Sequence, residues 1–412
     1  MSLAFGRPIR VMPGPSHLPD RVLNAMHREA PNIYEGELVG ITDTIRRDLC
    51  ALAGTDGALA MYIANGHAAW EAALVNTLAP GDRVLALVTG RFGHGWAQTA
   101  RDLGLDVATM DFGTDRAADP ARLEARLRAD RGHALRAVLT VQTDTATSVN
   151  NDVEALGAAL RAAGHPALYM VDSIASFCCA PMRMDAWGID VLLTACQKGL
   201  MTPPGISFTF AGPRARQARR RLQRVSPYFD WLPRFDPQLY YQNFHGTAPT
   251  HHLFGLRAAL DMILEEGIDN VLARHAVLAR CVWAAAEAWA GGAGAGGLRL
   301  NVAARAQRSV AVTTLLTGPG DGARLRRWCE DEAGLTLGAG LPLGAGMAHG
   351  DGVFRIGHMG HLNPPMLLGA LATVDAGLKA LGIAHGDGAL RLAAETLADA
   401  LPAAGTGAAA AE

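Results

Sequence analysis

Four short apolar runs constrain this chain more than any other feature: Arg83–Val88 (RVLALV), 137–141 (AVLTV), 167–171 (ALYMV) and 189–193 (IDVLL). Each is strand-length and mostly apolar without alternation, the pattern of a strand buried on both faces. Helix-length stretches separate them, among them 153–163 and 120–128, where Pro120 takes a first-turn position that needs no N–H. Strand and helix alternate in this way from about residue 20 to 265. The alternation predicts an α/β fold, a mostly parallel sheet covered by helices on both faces.

Further on the pattern changes. A long helix is expected from near Thr250 to before Gly267, and another over about 271–290. Strands near 298–302, 309–315 and 353–356 follow, with helices near 321–332 and 365–380. The predicted division is an N-terminal segment at 1–20, a large domain at 21–265 and a smaller α+β domain at 266–387. The remaining residues, 388–412, end in AAGTGAAAAE and are expected to form a flexible tail. Gly292, Gly294 and Gly297 match the spacing of a dinucleotide fingerprint. A helix precedes them and a strand follows, the reverse of the order that cradles a phosphate, so the run is read as a turn.

Half of the residues are hydrophobic and 18% are charged, enough for a sizeable core. A net charge of −2 gives no electrostatic case for nucleic acid or an anionic membrane. The basic run at 214–224 (RARQARRRLQR) reads as a solvated helix face. No apolar stretch has the length of a membrane span, and the N-terminus lacks the apolar core of a secretory leader. The six cysteines show neither paired metal spacing nor a disulfide framework. A cytoplasmic protein with reduced thiols and no bound metal is expected.

Among the 37 lysines and arginines, only Lys198 and Lys379 are lysine. Lys379 lies in an apolar-periodic helical run and is expected on its solvated face. Lys198 follows the run at 189–193 and precedes Pro203-Pro204-Gly205, a turn. An amine that can lose its proton and attack a carbonyl suits Schiff-base chemistry, which a guanidinium cannot supply. Upstream, the run at 167–171 ends in Asp172, a carboxylate at the carboxyl end of a buried strand, where α/β sheets bind ligands. Paired with a pyridine nitrogen it would keep pyridoxal phosphate protonated and electron-withdrawing. Strand–Asp followed by strand–Gln197–Lys198 therefore points to pyridoxal phosphate.

Other residues fit around that pair. Asn65-Gly66-His67 opens the helical run AAWEAALVN, either as an ordinary capped helix or as a phosphate cradle at a helix N-terminus. Phe92 follows the strand at Arg83–Val88 and either stacks on a ring or fills core. Asp144-Thr145-Ala146-Thr147-Ser148 follows the run at 137–141 and offers hydroxyls. Arg355, flanked by apolar residues, either clamps a substrate carboxylate or closes a structural ion pair, and a cofactor site favours the clamp.

These residues carry a resemblance. Pro13-Gly14-Pro15, Gly66-His67-Ala68-Ala69-Trp70-Glu71, Pro80-Gly81-Asp82, Thr89-Gly90-Arg91-Phe92, Val171-Asp172-Ser173, Gln197-Lys198-Gly199-Leu200 and Phe354-Arg355-Ile356-Gly357 occur in family order across about residues 8–385. The chain resembles the class V aminotransferases of the fold-type I pyridoxal-phosphate superfamily, most of all the serine–glyoxylate and alanine–glyoxylate group. The resemblance implies that Lys198 forms the Schiff base and shuttles the proton, while Asp172 holds the pyridinium. It implies that Gln197, Asn65, Gly66 and His67 contact the phosphate, Thr145 the 3′-oxygen side and Phe92 the ring face. Thr247 matches a position that reaches the phosphate of a neighbouring subunit, so a homodimer with shared active sites is implied. Arg355 matches the residue that binds the carboxylate of amino-acid and 2-oxo-acid substrates.

Departures bear on substrate choice. Tyr34-Glu35 stands where serine–glyoxylate relatives have His-Arg, Asn65 where they have Ser, and Ser148 where they have Gly. The segment from Tyr240 to His245 is also unusual. Ureidoglycine–glyoxylate and pyridoxamine–pyruvate types are alternatives, and neutral Asn65 favours a phosphorylated cofactor. A cysteine-desulfurase-like lyase would need a mobile catalytic cysteine; Cys329 is the best-placed candidate, in a run that reads as helix.

Overall fold

A computed structural model describes residues 2–294, 297–344 and 350–401. In chain order its strands are β1 (Ile9–Val11), β2 (Ala58–Ala64), β3 (Arg83–Val88), β4 (Asp106–Asp111), β5 (Leu135–Val141) and β6 (Leu168–Asp172). There follow β7 (Val191–Ala195), β8 (Gly205–Ala211), β9 (Arg299–Leu300), β10 (Val312–Leu316), β11 (Leu335–Ala339) and β12 (Val353–Gly357).

Strands β2 to β8 form a seven-stranded sheet in the order β2-β8-β7-β6-β5-β3-β4. From β4 through β7 the pairing is parallel, with helices Arg91–Asp102, Pro120–Ala129 and Val153–Ala162 making the crossovers. β8 is antiparallel to both β7 and β2, so β2 points the same way as β7. The carboxyl ends of β2, β3, β5, β6 and β7 therefore share one edge. Strand order reverses at β3, with β4 on one side and β5 on the other, and open α/β sheets bind ligands at such a switch point.

The apolar runs are legible because both faces of the central strands are covered. Leu85, Leu87, Val138, Tyr169, Val171 and Leu192 pack into the core on one face, and Val84, Ala86, Leu139, Met170 and Leu193 on the other. Each buried Val, Leu or Met among them contributes about 1.5–3 kcal/mol of burial free energy. The run expected at 189–193 becomes a strand only from Val191. Asp190, buried, instead accepts the Tyr169 N–H (2.8 Å) and an Arg214 N–H (3.1 Å). Arg219 likewise pairs with Asp230 (2.7 Å), so part of the basic helix Pro213–Arg221 faces protein.

The second sheet has the order β1-β11-β12-β10-β9, antiparallel except for β1 with β11. Helices Ile268–Gly291, Asp321–Ala333 and Pro364–Ala380 cover it, burying Val11, Leu315, Leu337, Phe354 and Ile356. Because β1 belongs here, residues 12–16 cross from this sheet to the edge of the larger one. A flexible tail was expected from residue 388, yet Ala389–Ala400 is a helix. Ala389 and Ala393, spaced four apart, bury one face of it in the same core as Trp289, which small side chains allow. Residues 402–412, and 295–296 of the glycine-rich turn, lie outside the described residues.

Among the described residues no helix is long and apolar enough to cross a membrane. None of their His, Cys, Asp and Glu side chains forms a group of three that could hold a metal ion. The cysteines are all free, and all but Cys50 are buried.

Candidate active site

Along the shared edge each strand delivers one piece of a cavity of about 320 Å³. Asn65, Gly66 and His67 follow β2, Phe92 follows β3, Thr143 and Thr145 follow β5, Asp172 ends β6, and Gln197 and Lys198 follow β7. All line the cavity, with Trp70, Ile174 and the N-terminal Gly14 and Pro15. Two expected residues lie elsewhere. Thr247 is exposed on the surface, and Arg355, buried on β12, is not among the residues that line the cavity.

The start of the helix Gly66–Val75 is set locally. Asn65 caps it, its side-chain oxygen accepting the His67 N–H at 3.1 Å. A Cβ at Gly66 would press into the Ile174 side chain, 3.2 Å from Cγ1, so glycine lets the helix approach the loop after β6. Gly14 plays a similar part over Lys198. Its φ of +99° is left-handed, and a Cβ there would lie 2.6 Å from Lys198 Cδ and Cε. The Lys198 amine donates to the Pro13 carbonyl, while Ser16 Oγ donates to the Lys198 carbonyl at 2.7 Å. Residues 13–16 thus strap the lysine from above.

Burial sets the two ionisable groups close to neutrality. Lys198 is brought down to about 8, first by burial and next by the Arg355 charge, while Asp172 and Cys179 pull it upward. Asp172 is pushed up to about 7 by burial, against the Ile174 backbone N–H and the Trp70 indole that stabilise its anion. Asp144 raises it further and Lys198 lowers it. An amine and a carboxylate so poised on one cavity wall fit a carbonyl-bearing pyridine cofactor.

Arg355 is tied to the site through the Thr145 loop. Its Nη1 donates to the Thr145 carbonyl (2.8 Å) and its Nε to the Ala339 carbonyl (2.7 Å). Burial brings it down to about 10, with Asp144 pulling it back up.

Asp144, fully buried, was given no role by the sequence. Its Oδ2 accepts the backbone N–H groups of Phe92 (2.7 Å) and Gly93 (3.4 Å), and its Oδ1 those of Ala146 (3.0 Å) and Thr147 (3.4 Å). One carboxylate therefore ties the Phe92 helix to the Thr145 loop. Asp144→Ala is expected to lower stability by about 2–4 kcal/mol, since buried N–H groups lose their acceptor. Urea unfolding at the wild-type midpoint would show that the carboxylate holds nothing.

The family model described as aminotransferase class-V matches residues 11–340. The chain belongs to the class-V aminotransferase family. It is 37% identical over 384 residues to the serine–glyoxylate aminotransferase of Methylorubrum extorquens, covering 90% of this chain and 91% of that protein. The serine–glyoxylate aminotransferase of Arabidopsis thaliana is 35% identical over 379 residues, 92% of each chain. In fold it is similar to pyridoxamine–pyruvate aminotransferase from Mesorhizobium loti, with a TM-score of 0.86 at 22% identity, over 97% of this chain and all of that one.

One departure and the candidate cysteine of the lyase alternative have structural accounts in this class-V aminotransferase. Ser148 has a left-handed φ of 61°, a conformation that favours glycine. Its Oγ accepts the Thr314 N–H at 3.1 Å and its carbonyl the Ser309 N–H at 3.0 Å, which offsets the strain. Cys329 lies within the helix Asp321–Ala333 and is fully buried, its thiol pushed up to about 12 by burial. A buried helical thiol of that acidity is no mobile nucleophile.

Proposed function

We propose that this class-V aminotransferase uses pyridoxal phosphate to move an amino group from a small amino acid, of serine or alanine type, to glyoxylate or pyruvate. The reaction is ping-pong, and the enzyme works in the cytoplasm as a homodimer with shared active sites. The observation that carries this reading is the placement of the Lys198 amine and the Asp172 carboxylate on one cavity, both poised near neutrality. The names of the relatives support glyoxylate as the acceptor.

Bound there, the cofactor supplies a carbonyl that amines can join and a protonated ring that draws electrons from Cα. The protein's part follows from its residues. Asp172 would pair with the ring nitrogen and hold its proton. Asn65, Gly66, His67 and Gln197 would gather the phosphate, where the amide end of the helix Gly66–Val75 favours negative charge. Thr247, exposed here, would reach the phosphate held by a neighbouring subunit. Phe92 and Ile174 line the cavity and would bound the ring, and Thr145 would meet its 3′-oxygen.

Lys198 would hold the cofactor through its amine. Its Nζ, once released, would take the proton from the substrate Cα and give it back on the cofactor side. Burial favours the neutral form of that amine, as a base requires. Arg355 would fix the substrate carboxylate through the guanidinium edge that its backbone bonds leave free.

The test is an absorbance titration of the loaded enzyme with serine, alanine, ureidoglycine and pyridoxamine. A donor that bleaches the visible band, followed by recovery on adding glyoxylate or pyruvate, identifies both half-reactions. A yellow enzyme that no donor bleaches overturns the reading. Arg355→Ala is expected to raise the amino-acid KM by about 10²-fold with cofactor affinity retained. An unchanged KM would remove Arg355 from substrate binding.

A further inference from the structure

Asp172 has a side-chain partner that the reaction scheme above leaves unused. Its Oδ2 accepts the indole N–H of Trp70 at 2.7 Å, across 102 residues of sequence. Its Oδ1 accepts the Ile174 backbone N–H, also at 2.7 Å. With one donor on each oxygen, the carboxylate plane cannot turn without breaking both bonds. Each carboxylate oxygen keeps a further lone pair for a third donor.

Trp70 is itself held on several sides. It is 2% exposed, stacks on Trp96 (centroids 6.2 Å apart, 14° between planes) and meets Phe92 edge-on at 6.3 Å. A Cβ at Gly95 would stand 3.3 Å from its ring, so glycine in the Phe92 helix makes room for the indole. The same side chain touches both the group assigned to the cofactor's ring nitrogen and the aromatic assigned to its face.

We infer that Trp70 is a positioning residue for transamination: its indole N–H fixes the plane of Asp172 toward the cofactor's ring nitrogen and selects the carboxylate's ionised form. The selection follows from the chemistry of indole, which donates and never accepts. Proton donation from Trp70 is compatible with an anionic Oδ2 and is opposed by a proton on that oxygen. Ionised Asp172 is the form that pairs with a pyridinium. Removing the donor leaves burial, which already pushes Asp172 up to about 7, less opposed.

The inference rests on Asp172 facing the ring nitrogen, and the test keeps the two apart. Trp70→Phe removes only the N–H from a similar ring. Trp96→Phe is the packing control, because Trp96 belongs to the same stack and its Nε1 has no partner among the described residues. Cofactor dissociation constants come from titrating the cofactor-free protein. Trp70→Phe is expected to weaken cofactor binding about 10-fold and lower kcat about 10-fold at unchanged amino-acid KM, as loss of a hydrogen bond to a charged group predicts. Trp96→Phe should stay within about twofold, and Trp70→His, which retains an N–H donor, should recover part of the loss.

A second readout needs no cofactor. In the 15N-labelled protein the Trp70 indole resonance should shift with pH as Asp172 titrates, and that step should vanish in Asp172→Ala. Equal losses in Trp70→Phe and Trp96→Phe, or an indole resonance indifferent to Asp172→Ala, would overturn the inference. If Asp172→Ala itself binds cofactor and turns over like wild type, the assignment of Asp172 fails and the inference falls with it. If only Asp172→Ala is impaired, the assignment stands and Trp70 has no such role.

Discussion

Lys198→Ala is expected to reduce transamination by about 10⁴-fold or more, since it removes both the group that holds the cofactor and the group that moves the Cα proton. The fold should survive the change. Lys198 sits under the strap of residues 13–16, and its amine bonds one backbone carbonyl, that of Pro13. Burial lowers its proton affinity from the ordinary lysine value to about 8, so at neutral pH the folded protein carries a poorly solvated cation. A folded-state value below the unfolded one makes this penalty full below about pH 8, fading as pH rises toward 10. Cofactor-free Lys198→Ala should therefore melt no lower than cofactor-free wild type at pH 7, in a calorimetric comparison. Lys198→Arg should not rescue turnover, because a guanidinium stays protonated. Turnover within tenfold of wild type in Lys198→Ala would end the assignment.

The same lysine shows what was legible in the sequence. Its rarity singled it out among 37 cations, and the strand-end position of Asp172 supplied its partner. β3 was read to the residue, and β5, β6 and β7 to within a few, because strands buried on both faces leave uninterrupted apolar runs. β4 (DVATMD) was not read: it is the sheet's edge, its polar residues face solvent, and no apolar run marks it. The helix Ala389–Ala400 was missed because an alanine-rich run gives a weak burial signal.

Within the site the pattern is similar. Asn65, Gly66, His67, Phe92, Thr145, Gln197, Lys198 and Asp172 come together as their positions after successive strands require. Trp70 and Asp144 escaped notice because their roles exist only in tertiary pairs, indole to carboxylate and carboxylate to the N–H groups of Phe92 and Gly93. A buried tryptophan reads as core in any sequence. An acid among four hydroxyl residues, three positions past the end of a buried strand, is the available signal for Asp144.

Asp172→Asn is expected to lower kcat by about 10³-fold while leaving the fold close to wild type. The carboxamide matches the carboxylate in shape, so its oxygen can still accept from either the Ile174 N–H or the Trp70 indole, at 2.7 Å in the native protein. It cannot carry the negative charge that holds a proton on the ring nitrogen, and without that proton the ring withdraws electrons poorly from Cα. The pH dependence separates this from a packing defect. Asp172 stands near 7, so cofactor capture by the wild-type protein should strengthen as pH rises through 7 and the carboxylate ionises. Deprotonation of Lys198 near 8 adds a second rise in the same direction. Asp172→Asn should lose the lower step and keep the upper one, whereas Lys198→Ala should keep the lower and lose the upper. Reconstitution titrations from pH 6 to 9 on the three proteins read both steps. If the two rises persist unchanged in Asp172→Asn, the charge on Asp172 plays no part in holding the cofactor, and another group must protonate its ring.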